Sequence, residues 1–319
     1  MKTGLLVNPR AGKLSGKGLK LIEALGTKSG VFQTVLNDFS ELEPALRQFA
    51  AEGVTTLAIS SGDGTIQAIQ TLLAETNIFA QTPRLMLLPH GTTNMTAADL
   101  GVTTRNIQKL AAILQSTPAL AGAETRIRPT LRIANPADGR PRHGMFTGTG
   151  AIWRAVQFCQ QAVHGAGLKG DAATFATLAL AIGGLFFNGN TPEAERIGRV
   201  WNFKARAEGK PIGSGDQLLF MATTLEKLVL GSKPFWGGKT ASIRATVLPF
   251  PLPQVWRWII PTLYGNETRA VMPGAVSLCA EDFEIDTRIS WIVDGEFYDA
   301  PENEPLRITR GADFTYVIV

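Results

Sequence analysis

Apolar and polar positions follow two different patterns along the chain, and the first pattern covers residues 1–125. Short apolar runs at 5–7, 31–36, 56–59 and 85–88 predict strands. Helical spacing of apolar residues predicts helices at 17–25, 42–51, 66–73 and 104–114, with Ser40 as the N-cap of the second and Thr103 or Thr104 as the N-cap of the fourth. Strands that alternate with helices in this way predict a parallel, doubly wound α/β sheet.

From residue 129 onward the pattern changes to short strand-like runs separated by turn residues. These runs lie at 131–134, 217–223, 242–248, 275–279, 289–293 and 307–310. A helix-rich stretch, 152–187, interrupts them, and all six tryptophans lie after the boundary. We therefore predict an N-terminal α/β domain, residues 1–128, and a β-rich second domain, residues 129–303. The second domain holds the tryptophans, which would pack its core or line a binding site for an apolar substrate.

Length and composition support two globular domains. The chain has 319 residues, of which 45% are hydrophobic and 18% are charged, and its net charge is +4. Cys159 and Cys279 form no C-x-x-C pair, which argues against a disulfide scaffold or a structural zinc site and favours a reduced, cytoplasmic protein. No signal peptide is expected, because the first apolar run breaks at once into Asn-Pro. The apolar stretch 172–187 is interpreted as a buried or groove-lining helix, with a membrane-inserting segment as the alternative.

Three polar loops follow predicted strands, and their residues suit a polyphosphate ligand. The loops are 8–12, 60–65 and 89–94. Open α/β sheets bind ligands at the carboxyl ends of their strands, so the three loops are expected to outline one site. The Gly62-Asp63-Gly64-Thr65 turn presents bare backbone N–H groups, one carboxylate and one hydroxyl, which suits a nucleotide with its metal ion.

These loops resemble the motifs of the diacylglycerol kinase catalytic family, which includes bacterial soluble lipid kinases and the sphingosine kinases. The matching residues are Asn8-Pro9 with Gly12, the run 61–65, and the Pro89-x-Gly91-Thr92-x-Asn94 loop. Later in the chain, residues 146–151 resemble the start of the family's second domain and residues 293–296 its late acidic motif. The resemblance implies ATP and Mg²⁺ as cofactors, and a C-terminal strand within 304–319 that returns to the first domain.

The resemblance also assigns roles to single residues. ATP would contact the three loops through Asn8, Pro9, Arg10, Ala11, Gly12, Ser61, Gly62, Asp63, Gly64, Thr65, Gly91, Thr92 and Asn94. Asp63 would hold the Mg²⁺ ion, directly or through water, or orient the acceptor hydroxyl. Glu296 is the first candidate for the general base and Asp294 the second. Asp63 and Glu296 are expected to meet across the cleft between the domains.

Several of these residues also have a purely structural interpretation. Asp294-Gly295 between two apolar runs is the commonest signal of a tight β-hairpin. Asn94 or Thr93 could cap a helix that begins at residue 95. His90 stands at a variable position of the third loop and is interpreted as a surface residue, not a base.

The sequence therefore predicts a lipid kinase that phosphorylates a hydroxyl of a diacylglycerol-like or long-chain-base lipid. The alternatives are an NAD kinase-like enzyme and a non-catalytic nucleotide- or lipid-binding regulator, which Ala68 and Met95 keep open because the family often has acidic residues there. No nucleic acid partner is expected, and a homodimer is one possible assembly. The protein would be cytoplasmic and would touch the inner face of the membrane, where its lipid lies, through 249–260, unless Trp256 and Trp258 fill the core of the second domain.

Overall fold

The computed structural model describes the chain except for residues 12–15, 28–29, 92, 167–195, 214–215 and 253, and describes only the backbone of 161–166, 255 and 256. The chain divides into two compact units. The N-terminal unit comprises residues 1–128 and 313–319, and the second unit comprises residues 129–312. The predicted apolar helix at 172–187, and with it much of the predicted helix-rich stretch, lies outside the described residues.

The N-terminal unit is a parallel sheet with helices between its strands. Its elements are β1 Thr3–Val7, α1 Lys17–Leu25, β2 Phe32–Val35, α2 Leu42–Ala51, β3 Thr56–Ser61, α3 Asp63–Glu75, β4 Arg84–Pro89, α4 Met95–Leu100, α5 Ile107–Gln115 and α6 Thr117–Ala121. The strands pair in parallel in the order β2-β1-β3-β4. β1 and β3 are buried along their whole length, because helices cover the sheet and leave it no polar face. On one face, Leu5, Ala58 and Met86 of the strands share a core with Leu21 of α1 and Leu110 of α5.

Two predicted helix caps are wrong, and in both cases a neighbouring Asp or Asn takes the position. Asp38, not Ser40, begins the turn before α2: its carboxylate accepts the backbone N–H of Ser40 at 3.0 Å, and residues Phe39–Glu41 form a 3-10 turn. α5 begins at Ile107 rather than near Thr104, because the Asn106 side chain accepts the N–H of Lys109 at 3.0 Å. In both places an Asp or Asn side chain accepts one of the backbone N–H groups that have no acceptor within the turn or helix.

The second unit is rich in strands, as predicted. Its elements are β5 Thr125–Ile133, which enters from the N-terminal unit, β6 Arg142–Gly144, β7 Phe146–Gly150, α7 Ala151–Ala166, β8 Phe203–Ala207, β9 Lys210–Pro211, β10 Gln217–Thr223, β11 Ile243–Pro249, α8 Val255–Tyr264, β12 Val276–Ala280, β13 Asp282–Thr287, β14 Trp291–Val293, β15 Glu296–Tyr298 and β16 Leu306–Val317. Six strands form an antiparallel sheet in the order β12-β11-β10-β7-β14-β15. Trp291 and Phe220 of this sheet share a core with Phe283 of β13, and the rings of Phe220 and Phe283 meet edge to face at 6.0 Å.

The C-terminal strand β16 is one continuous element, whereas the sequence pattern predicted two runs. Within the second unit, its first residues pair antiparallel with β13, from Leu306 opposite Ile285 to Thr309 opposite Asp282. Its last residues are part of the N-terminal unit, where Tyr316 pairs in parallel with Leu85 of β4. The N-terminal unit is a parallel α/β sheet with helices between its strands and the rest of the chain is rich in strands, so the predicted fold class is confirmed. None of the helices in the described ranges is long and apolar enough to cross a bilayer.

Candidate active site

The three predicted loops of the N-terminal unit leave neighbouring strands at the same edge of the sheet. β1, β3 and β4 are adjacent and parallel, with Val7 opposite Ser60 and Ser60 opposite Leu88. The backbone N–H of Asn8, the first residue after β1, donates to the carbonyl of Ser60 at 3.0 Å. The loops therefore begin side by side at the carboxyl edge, where α/β sheets bind ligands.

Asn8 links the first loop to the second. Its side-chain amide donates from Nδ2 to Oγ1 of Thr65 at 2.9 Å. Its Oδ1 accepts the backbone N–H of Arg10 at 3.0 Å, and its carbonyl accepts that of Ala11 at 3.1 Å, so the same residue also closes the turn of its own loop. Pro9 and Ala11 are half-buried and Arg10 is exposed, while Gly12 of this loop lies outside the described residues.

The second loop is the first turn of a helix rather than a separate turn. α3 begins at Asp63, not at residue 66 as predicted, and Asp63, Gly64 and Thr65 form its first turn. Gly62 is the N-cap of this helix, in an extended conformation with φ −94°. The first N–H groups of a helix have no acceptor within it, so this 13-residue helix presents free donors and the positive end of its dipole to an anion.

Glycine at position 91 allows the second and third loops to touch. A Cβ atom at position 91 would lie 2.5 Å from the Cα of Gly62 and 3.1 Å from the carbonyl oxygen of Ser61. Asn94 then closes the third loop, because its Oδ1 accepts the N–H of Gly91 and its Nδ2 donates to the carbonyl of Gly91, each at 2.7 Å. Thr92 lies outside the part of the chain that is described.

Asn94 does not cap α4 with its side chain, and Asp63 takes over that function. Asn94 occupies the N-cap position with φ 48°, but its amide is engaged with Gly91. The N–H of Met95 donates instead to Oδ2 of Asp63 at 3.3 Å. The Asp63 carboxylate therefore connects the second loop to the third, a structural role that the sequence pattern did not predict for it.

Asp63 has the environment of a cation ligand. The residue is half-buried, and its Oδ1 atom is buried with no hydrogen-bond partner among the described residues. Burial raises the pKa of the carboxyl to about 6, although the backbone N–H groups of Met95, Thr96 and Asn94 act in the opposite direction. An unpartnered carboxylate oxygen fits a bound Mg²⁺ ion, which often takes only one or two carboxylates and completes its shell with phosphate oxygens and water. No cluster of three or more metal-binding side chains occurs in the described ranges.

His90 is not the surface residue that the sequence pattern indicated. It is only 3% exposed, and its Nδ1 lies 2.8 Å from Oγ of Ser60. Burial, and to a lesser extent the nearby charge of Lys17, lowers the pKa of His90 to about 4. The sequence did carry a signal for this contact. Ser60 and His90 stand at the ends of the apolar runs that form β3 and β4, and they would meet if those two strands were neighbours.

The acidic motif of the second unit forms a tight hairpin. β14 pairs antiparallel with β15, with Val293 opposite Glu296, and the two-residue turn between them has positive φ at both positions, 48° for Asp294 and 90° for Gly295. The Asp294 carboxylate is buried and accepts the backbone N–H of Met145 at 3.0 and 3.1 Å and that of Phe146 at 2.9 Å. The Glu296 side chain, in contrast, is exposed.

Comparison with known proteins gives one family and several similar folds. Residues 2–122 match the model of the diacylglycerol kinase catalytic domain. No curated protein matches the chain. A crystal structure of a diacylglycerol kinase from Bacillus anthracis str. Sterne is 20% identical with a TM-score of 0.64, and the alignment covers 100% of this chain and 97% of that one. A second structure from that organism has a TM-score of 0.65 at 19% identity, with the same coverage.

A yeast NADH kinase complexed with NADH has a TM-score of 0.48 at 10% identity, covering 100% of this chain and 84% of its own, which is too distant to support an argument. At these identities the solved structures establish the fold alone. The family match covers the whole segment that carries Asn8, Asp63 and Asn94. Residues 2–122, which hold all three loops, therefore support assignment of the chain to the diacylglycerol kinase catalytic family.

Proposed function

We propose that this protein is a lipid kinase that transfers the γ-phosphoryl group of ATP to a hydroxyl of a diacylglycerol-like or long-chain-base lipid. The observation that carries the proposal is the meeting of three loops around the start of α3, where Asp63 keeps a buried carboxylate oxygen that has no partner among the residues the structure describes. A carboxylate of this kind beside free helix N–H groups suits a polyphosphate together with its metal ion. The family of residues 2–122 supports the choice of kinase.

In this proposal the phosphates of ATP lie against the first turn of α3. The N–H groups of Asp63, Gly64 and Thr65 donate to phosphate oxygens, and the dipole of the 13-residue helix favours their negative charge. The contact between Gly62 and Gly91 keeps side chains out of this region and lets backbone approach the ligand. Asn8 holds the hydroxyl of Thr65 in place through the 2.9 Å hydrogen bond.

Asp63 would hold the Mg²⁺ ion through its free oxygen. The ion, when bound, neutralises charge that develops on the transferred phosphoryl group and its leaving group. The protein keeps the carboxylate in one orientation, because the backbone N–H of Met95 donates a hydrogen bond to its Oδ2 atom. Although the pKa of this carboxyl is raised to about 6, the group is mostly ionised near neutral pH and can bind a cation there.

The base would be Glu296 rather than Asp294. In the transfer step, the acceptor hydroxyl oxygen forms a bond to the γ-phosphorus, the bond to the bridging oxygen breaks, and ADP leaves with the electron pair. The hydroxyl proton passes to a carboxylate. Glu296 has an exposed carboxylate that can accept it, whereas the oxygens of Asp294 already accept three backbone hydrogen bonds. We assign Asp294 the role of fixing the turn that carries Glu296.

The lipid would be taken from a membrane surface that the second unit touches. Four apolar side chains are exposed on three linked segments: Leu230, Ile260, Tyr264 and Val271, with exposed fractions of 44%, 63%, 50% and 39%. We call these four residues the α8 patch. The segments are joined by the N–H of Lys233 donating to the carbonyl of Leu263, and by the Arg269 guanidinium donating to the carbonyls of Lys233 and Thr262, each at 2.7 Å.

The α8 patch supports peripheral membrane contact better than the tryptophans named from the sequence. Trp258 is half-buried and the Trp256 side chain lies outside the described part of the structure. Exposed apolar residues flanked by the cations Arg257, Lys233 and Arg269 suit an anionic lipid surface, such as the inner face of a cytoplasmic membrane.

The experiment is transfer of ³²P from [γ-³²P]ATP, with Mg²⁺, into three acceptors: a total lipid extract, NAD, and water alone. The proposal expects label in a lipid that partitions into organic solvent, and its chemical identity then names the acceptor. Label in NAD would instead support an NAD kinase-like enzyme. Binding of ATP without transfer to any acceptor would support a non-catalytic regulator.

A further inference from the structure

A second helix N-terminus lies beside the three loops, at the start of α1. This nine-residue helix begins after Gly16, which is its N-cap in a left-handed conformation with φ 68° and supplies no side chain to its free N–H groups. Residues Gly16, Lys17 and Gly18 line a pocket together with Asn8 and His90. The positive end of the helix dipole and the ammonium of Lys17 give this pocket an affinity for anions.

His90 supplies the observation that points to a ligand in this pocket. Its side chain is buried to 97%, since only 3% is exposed, and its Nε2 atom has no hydrogen-bond partner in the part of the chain that the structure describes. A buried polar nitrogen without a partner is costly, so such groups usually have a functional reason. Packing alone does not account for a nitrogen at this position, because an apolar side chain of similar size would pack there without the cost of burying a polar atom.

Ser60 fixes the position of this ring through a hydrogen bond. Its Oγ lies 2.8 Å from Nδ1 of His90. A Cβ atom at position 18 would lie 2.5 Å from the same Oγ, so α1 packs directly on Ser60 and the His90 ring is held next to the start of the helix. When the Ser60 hydroxyl donates to Nδ1, the ring proton of the neutral imidazole is on Nε2, and this nitrogen becomes a donor.

We propose that His90 donates its Nε2–H to a phosphate group of the nucleotide held at the N-terminus of α1, and that Ser60 is the positioning residue that selects this tautomer. The inference deepens the proposed function and rests on it. Asn8 connects this subsite with the first, because it lines the pocket at α1 and also bonds Thr65 in the first turn of α3. A polyphosphate can therefore be bound by both helix N-termini at once.

The imidazole acts as a neutral donor, not as an acid or base. Its pKa is lowered to about 4, mainly by burial and further by Lys17, so the ring carries no charge near pH 7. A neutral donor gives hydrogen-bond specificity for phosphate without adding charge. The expected consequence is discrimination between ADP and adenosine rather than a general rise in affinity.

The test measures ADP and adenosine binding by calorimetry for the wild type, His90→Leu and His90→Gln, with His143→Gln as the matched control. His143 is equally buried, at 2% exposure, and its Nδ1 lies 2.8 Å from Oγ1 of Thr130 in the second unit. We expect His90→Leu to weaken ADP binding about 10- to 100-fold. His90→Gln, which keeps an N–H donor, should recover part of this loss. Adenosine binding and the control should stay within about twofold of the wild type.

Nitrogen NMR of histidine-labelled protein tests the same claim by observing the His90 ring itself in the wild-type ADP complex. The chain has only three histidines, so the His90 signals can be assigned by their absence from His90→Gln. In the ADP complex the ring should be the Nε2–H tautomer, and both ADP and pyrophosphate should shift Nε2. Ser60→Ala should convert part of the population to the Nδ1–H tautomer, an effect that a merely structural serine would not have.

Three results would overturn the inference, and they separate it from the proposed function. If the wild type binds ADP but His90→Leu binds it equally well and Nε2 does not shift, the subsite is wrong and the kinase proposal stands. If adenosine shifts Nε2 as much as ADP does, the ring contacts the base instead of a phosphate. If the wild type binds no ADP at all, both the subsite and the proposed function fail.

Discussion

The two oxygens of the Asp63 carboxylate have different surroundings. The carboxylate accepts the N–H of Met95 through Oδ2, which holds the third loop, and its Oδ1 is buried without a hydrogen-bond partner in the described part of the chain. An ionised carboxylate is poorly solvated in this position, which is why its pKa is raised to about 6 from an ordinary value of 3.8. The free protein is therefore less stable than it would be without this charge, and a bound cation would remove the cost.

The first prediction concerns this stability cost. Between pH 4 and pH 6 the folded protein holds the Asp63 proton that the unfolded chain has released, so its stability falls as pH rises through this window and is level above it. Asp63→Asn keeps an oxygen for the N–H of Met95 but cannot ionise. We expect the melting temperature of the variant, relative to the wild type, to rise between pH 4 and pH 7 when no nucleotide or Mg²⁺ is present. A difference that is independent of pH would show that the pKa of Asp63 is not raised.

The second prediction uses two neighbouring glycines as a matched pair. Gly91→Ala would force a Cβ atom to within 2.5 Å of the Cα of Gly62, so the loops must separate, and we expect a loss of about 1–3 kcal/mol in unfolding free energy together with weaker ADP binding. Gly62→Ala has no contact closer than 3.7 Å and an ordinary φ of −94°. Gly62→Ala should therefore keep its stability and lose only nucleotide affinity. Equal stability of the two variants in denaturant titrations would contradict the contact.

At the scale of single elements, the β14–β15 hairpin carries a buried carboxylate, Asp294, and an exposed one, Glu296, to which we assign a structural and a catalytic role respectively. Asp294→Asn loses part of the set of hydrogen bonds to Met145 and Phe146, so we expect a loss of about 1–3 kcal/mol in unfolding free energy. Glu296→Gln should leave stability unchanged, because its side chain is exposed, and should lower the turnover number without changing the affinity for ATP. Denaturant titrations and steady-state kinetics distinguish the pair. If Glu296→Gln is fully active while a folded Asp294→Asn is inactive, Asp294 is the base.

Hydrophobic periodicity predicted the elements well and their ends less well. α1 and α2 begin and end at the predicted residues, because their apolar faces are regular and their buried residues follow that spacing. The beginning of α3 was predicted three residues too late, since a Gly-Asp-Gly run reads as a loop although Asp63 and Gly64 are helical. The caps at Asp38 and Asn106 were missed because capping depends on which of several nearby polar side chains reaches the free N–H groups.

Contacts between distant residues are the part of the site that the sequence could not give. Asn8 and Thr65 are 57 residues apart and Ser60 and His90 are 30 apart, and both pairs meet only because the sheet order puts β1, β3 and β4 side by side. The motifs named Asn8, Asp63, Gly91 and Asn94 correctly as neighbours of one sheet edge. They could not show that Asp63 caps α4 or that His90 is buried, because both depend on how separate strands and helices pack against one another.

At the scale of the whole molecule, the α8 patch should bring the protein to its lipid. The double variant Leu230→Ser, Ile260→Ser removes two exposed apolar side chains, so we expect weaker binding to anionic vesicles and a higher KM for vesicle-borne lipid, with an unchanged melting temperature. Ile127→Ser, which removes an apolar side chain of equal exposure, 63%, from the N-terminal unit, is the control and should bind vesicles as the wild type does. Unchanged sedimentation of the double variant with vesicles would place the membrane contact elsewhere.

The most direct test of the whole account is the rate of ³²P transfer from [γ-³²P]ATP to lipid by the wild type and by Asp63→Asn, measured with Mg²⁺ at pH 7.5 on protein shown to be folded. Asp63 is the residue on which the loops, the metal ion and the phosphates are proposed to converge. The account predicts a labelled phospholipid with the wild type and a rate about 10²- to 10⁴-fold lower with the variant. A variant that retains more than about a tenth of the wild-type rate, or a wild type that labels no lipid, would contradict it.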